Sequence, residues 1–178
     1  MRQSVESPLT RTILQEPECA HRLRAAIATA EPKLLSISDA DSALHPAPGK
    51  WSPRQIVGHL IDSASNNHQR FVRAVWQEDM VFPPYAQEQW VKLQQYDVAP
   101  WPELITLWAA YNRHLARVME LIPAEARLRI RERHNLDTIA MRAPRSKAEA
   151  TLDYFMRDYV NHLEMHLRQI LGPTWSAE

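Results

Sequence analysis

Apolar residues recur along this chain at three- and four-residue intervals in four long stretches, the spacing of an amphipathic helix face. In the first, Leu23, Ile27, Ala30, Leu34 and Ile37 form a stripe behind Pro17, a residue suited to a first turn. Pro32 falls inside the stripe and predicts a kink or a break. The run DADSALHPAPGK reads as a loop. The second stretch has the clearest start. Ser52 can cap it, Pro53 fits the first turn, and Gln55 completes a capping-box pattern. The pattern continues to Trp76, with Ile56, Leu60, Ala64, Phe71 and Val75 on its apolar face. AQEQWVKLQQ, among the prolines of residues 78–100, suggests a short helix. The third long helix is expected from about Pro102, its inner side marked by Leu104, Leu107, Trp108, Tyr111, Leu115, Val118 and Leu121. An arginine-rich connection follows over 122–146 and reads as a solvated loop or, alternatively, as a patch contacting an anionic substrate or a thiol cofactor. The fourth helix runs from about Lys147 to Leu171, where Gly172 and Pro173 stop it.

Four long amphipathic helices predict an all-α chain folded as a four-helix bundle in a single domain, 1–178, with residues 1–15 peripheral. The long connections argue against a simple up-down order. Composition narrows the function classes. Lys+Arg and Asp+Glu are both 21, so no general attraction to nucleic acid or anionic membrane is expected. No apolar run is long enough to span a bilayer. The N-terminal sequence lacks an apolar signal core, and one cysteine, Cys19, forms no intrachain disulfide; both fit a cytoplasmic location.

The candidate chemistry lies in DYVNHLEMHLRQI, residues 158–170. His162 and His166 are four apart, so their side chains are neighbours on one helix face and can converge on one ion. A pair of this kind also occurs as ordinary core or surface histidines. Two imidazoles make a poor zinc site, and His59 is the candidate for a third ligand, since an unpaired ring amid its apolar neighbours would be costly. Other metal templates fail. A zinc-protease helix needs H-E-x-x-H, whereas Glu164 lies two residues after His162, about 200° around the helix. It is expected to be neither ligand nor base, at an exposed position. A di-iron bundle needs two E-x-x-H motifs, and only Glu18 to His21 fits. There is no Gly-rich phosphate loop, no Gly-x-Ser-x-Gly elbow and no Cys-x-x-Cys.

GKWSPRQIVGHLIDSASNNHQRF, taken with YVNHLEMHLRQI about a hundred residues later, resembles the DinB-like superfamily. It is most similar to the branch of metal-dependent hydrolases related to bacillithiol transferases. The likeness runs from about Ala30 to Gly172 and includes PPYAQEQW and LIPAE. The resemblance implies a four-helix bundle in up-down-down-up order. It also implies a divalent ion, zinc or nickel, held by His59, His162 and His166. Such a site can acidify water, giving a hydrolase, or a low-molecular-weight thiol, giving an S-transferase. Asp62 and Asp158, one turn from these histidines, can orient imidazoles or accept protons. A non-catalytic, metal-pinned stress-response or binding protein is the alternative. The expected partner is a small-molecule substrate. A homodimer is also expected, because Trp76, Phe82, Tyr85, Trp90, Trp101 and Trp175 fall near helix ends or in loops and relatives often dimerise.

Overall fold

A computed structural model describes residues 17–177. Residues 1–15, expected to be peripheral, lie outside the described residues. Helix α1 (Glu18–Leu35) runs through Pro32 without a break and ends one turn later. A short α2 (Asp39–Ser42) leads to α3 (Pro53–Trp76). The capping box is formed there: Gln55 N donates to Ser52 Oγ, and Ser52 N donates to Gln55 Oε1. The connection after α3 carries α4 (Gln87–Leu93), within the segment read as a short helix. Next come α5 (Trp101–Leu121) and the short α6 (Ala124–Leu128) and α7 (Leu136–Ile139). The last helix, α8 (Leu152–Leu171), begins later than Lys147, because Thr151 is its N-cap, accepting from Tyr154 N. Gly172 ends it at φ 98°, as its position after the apolar stripe suggests.

The four long helices form a bundle whose directions follow from cross-links. Arg24 pairs with Glu120, and Glu31 with Arg113, so α1 and α5 are antiparallel. Arg54 reaches the carbonyl of Ala99 just before α5, and His68 reaches Tyr111, so α3 and α5 are parallel. His59 meets His162 while Phe71 meets Phe155, so α3 and α8 are antiparallel. The order is up-down-down-up, as the resemblance implied. Leu23, Ile27, Phe71, Trp108, Leu115 and Phe155 fill the core. Leu107 and Leu121, expected on the inner side, are exposed. At about 100° per residue they fall away from the face defined by Trp108, Leu115 and Met119.

The arginine-rich connection is not all solvated. Arg131 is buried, and its guanidinium donates to the carbonyls of Ala74, Gln77 and Glu78. It thereby satisfies carbonyls at the C-terminal end of α3, where a cation also suits the helix dipole. Of the six aromatics weighed for an interface, Phe82, Trp101 and Trp175 are buried, whereas Trp76 is 85% exposed. Among the described residues, no helix is long and apolar enough to cross a membrane.

Candidate metal centre

The three histidines meet across α3 and α8. His59 Nε2 lies 3.2 Å from His162 Nε2, and the His166 ring lies 4.9 Å from His59 and 4.6 Å from His162, centroid to centroid. One nitrogen from each ring falls within 4.8 Å of the others. Two nitrogens bound to one tetrahedral ion at about 2.0–2.1 Å would be about 3.3 Å apart, so the His59–His162 spacing suits shared coordination.

Burial prepares these rings for that use. It pushes His59 and His162 down to about 3, and His166 below the usual imidazole range. Burial thus favours the neutral form of each ring, which has a lone pair available. Unperturbed imidazole would let protons displace a metal near pH 6.5; the buried rings move that competition to lower pH. His166 Nδ1 lies 2.9 Å from Gln169 Oε1. An amide oxygen accepts, so Nδ1 carries the proton and Nε2 is left for the cluster.

The two acids weighed either as helpers or as polar bundle residues hydrogen-bond away from the imidazoles. Asp62 Oδ1 accepts from Tyr96 Oη at 2.8 Å and Gln94 Nε2 at 2.7 Å. Asp158 accepts the backbone N–H groups of Met141 and Arg142. No hydrogen bond joins either acid to an imidazole among the described residues; the orienting contact comes from Gln169. Its i+3 spacing from His166 was available in the sequence. Burial raises both carboxyls above their ordinary range, and their hydrogen bonds oppose the rise. Asp158 does line a cavity of about 280 Å³ that also touches His162, His166, Arg70 and Tyr85. A second cavity, of about 500 Å³, reaches His166 past Trp51 and Lys50.

Glu164 is buried, not exposed. Both its oxygens lie 3.0 Å from Arg22 Nη2, and Arg168 Nη2 lies 3.2 Å from Oε2. It faces α1, away from the histidines, so the expectation about its direction stands and the one about its exposure does not.

A residue periodicity could not single out is Gly58. A β-carbon there would overlap the Tyr96 ring atoms Cγ and Cδ2. This isolated glycine inside a helix allows the Tyr96 ring to lie flat on α3 and hold Asp62, one turn beyond His59. Gly58→Ala is therefore expected to displace Tyr96 and cost about 1–3 kcal/mol, a typical overpacking penalty. A denaturant midpoint equal to wild type would show that the ring has room to move.

The DinB superfamily profile matches residues 22–170. The chain belongs to the DinB superfamily. Among curated relatives, one from Oceanobacillus iheyensis, named "Putative metal-dependent hydrolase", is 30% identical over 77 residues, 43% of this chain and 45% of that protein. A Bacillus mycoides protein of the same description is also 30% identical over 77 residues, 43% and 44% of the two chains. The matched stretch thus spans under half the length of these curated relatives. YfiT from Bacillus subtilis, described as a probable metal-dependent hydrolase with an unusual four-helix bundle topology, superposes with a TM-score of 0.69. The superposition covers 96% of this chain and 89% of YfiT at 17% identity, a likeness of fold. The DinB bundle places histidines of its second and fourth long helices side by side in this chain.

Proposed function

We propose that this DinB-superfamily chain is a metal-dependent hydrolase acting on a small molecule, with His59, His162 and His166 as the ligands of one divalent ion, zinc or nickel. The observation that carries the reading is the convergence of three imidazoles, two of which, His162 and His166, line a cavity. A closed structural site would have no such access. The bound ion would supply Lewis acidity, enough to acidify a coordinated water or thiol near neutral pH.

The protein's own groups do the rest. Gln169 Oε1 holds the His166 ring in one tautomer. Asp158, fixed by two backbone N–H groups, stands in the cavity wall as a proton acceptor. Burial pushes the Tyr85 hydroxyl up to about 12, so it remains a hydrogen-bond donor at pH 7. Phe155 and Met165 give the cavity an apolar side that limits water. Cys19 is buried and its thiol is pushed up to about 11 by that burial, so S-transfer would need an external low-molecular-weight thiol. A homodimer, if formed, would most simply cover the exposed Trp76.

The test is metal analysis of purified chain, then parallel screens of the zinc- and nickel-loaded forms for ester and amide hydrolysis and for thiol conjugation. One ion per chain with metal-dependent hydrolysis is the expected result. Thiol conjugation without hydrolysis would replace the hydrolase reading by S-transfer. Stoichiometric metal with neither activity would favour the non-catalytic alternative.

A further inference from the structure

We propose that Arg70 anchors a carboxylate group of the substrate within the cavity that reaches the histidines. The inference rests on the cavity being the substrate site. Arg70 lies on α3 about three turns beyond His59 and is only 5% exposed. It lines the same cavity as His162 and His166.

Its hydrogen bonding is incomplete. A guanidinium carries five N–H donors and a full charge. Arg70 Nη2 donates to the Pro83 carbonyl at 2.8 Å, and Nη1 reaches Asn67 Oδ1 at a long 3.4 Å. Both acceptors are neutral. No Asp or Glu pairs with Arg70 among the described residues. A buried cation without a counter-ion is costly, so buried charges are normally paired.

The other buried arginines resolve this differently. Arg54 pairs with Asp39 Oδ1 at 2.6 Å. Arg131 donates from Nη1 and Nη2 to carbonyls at the end of α3 and lines none of the cavities around the histidines. Arg70 alone of the three faces that space. Asn67, Ser63 and Tyr85 border it with further polar atoms.

The planar fork selects the anion. A carboxylate sets two coplanar oxygens against it, one negative charge against one guanidinium. The substrate class is therefore a small carboxylic acid whose reacting group lies toward the histidines and whose acid group lies toward Arg70.

The experiment follows amide shifts of the metal-free and the metal-loaded chain during titration with 3-mercaptopropionate, 3-mercaptopropanol and inorganic phosphate. Wild type is expected to bind the acid at least about tenfold more tightly than the alcohol, a step of about 1.4 kcal/mol. Arg70→Gln, which can still donate to the Pro83 carbonyl, should erase that preference with metal content unchanged. Arg70→Lys should keep part of it, since charge remains and the fork is lost. Equal binding of acid and alcohol by wild type would overturn the proposal, as would a preference that survives in Arg70→Gln. Phosphate binding as tight as the carboxylate would overturn the choice of anion. A chain that binds no metal would defeat the hydrolase reading, while the acid preference of the metal-free chain would still report on Arg70.

Discussion

His59→Ala is expected to lower divalent-metal affinity by more than about 100-fold, past the 10–100-fold that loss of an outer hydrogen-bond partner costs. Two imidazoles on α8 would remain, joined by nothing from α3, and two ligands leave the shell incomplete. Gln169→Ala supplies the comparison. It leaves all three rings in place and frees only the His166 tautomer, so its loss should stay within the smaller range. Competition against a chromophoric chelator measures both. His59→Ala with unchanged affinity, in a chain that keeps its helical content, would remove His59 from the site and leave the α8 pair as core histidines.

Glu164→Ala is expected to separate stability from metal binding. The carboxylate takes hydrogen bonds from Arg22 of α1 and Arg168 of α8. Hydrogen bonds to a charged group contribute about 1.5–3 kcal/mol. Both arginines are partly exposed and can turn to water once the carboxylate is gone, which limits the loss to about that range. Metal stoichiometry and turnover should stay near wild type, because Glu164 faces α1 and not the histidines. A denaturant midpoint and a metal assay on one preparation decide it. If turnover fell by orders of magnitude with the metal retained, Glu164 would be a base after all, and the zinc-protease comparison would have to be reopened.

Glu164 also shows how far the chain can be read before folding. The period of the apolar residues located the four long helices, and the Ser52–Gln55 pair located the start of α3, because caps and stripes are local signals. The histidines were readable only in part by such signals. Four-residue spacing puts His162 and His166 on one face and the cost of burial makes His59 a candidate partner, but it was the DinB resemblance that joined the three as a ligand set. What periodicity misses is a helix packed on two sides. Helix α8 touches both α1 and α3, so Glu164 is buried by a neighbour that the stripe around Leu163 and Leu167 does not announce. Arg131 and Gly58 are hidden likewise. One answers carbonyls more than fifty residues earlier, and the other answers the Tyr96 ring. Such demands arise only once distant segments meet.

The distance along the chain between the two sides of the histidine cluster bears on the order of folding. His59 and His162 are 103 positions apart, and α8 is the final long helix. Loop closure over that span must precede any gain from the contact, so the cluster is expected to assemble only as α8 docks. With that docking placed after the folding transition state, an ion bound there would stabilise the folded chain alone. Its influence would fall on the unfolding limb of a chevron, prolonging the life of the folded chain while hardly changing the rate at which that chain is reached.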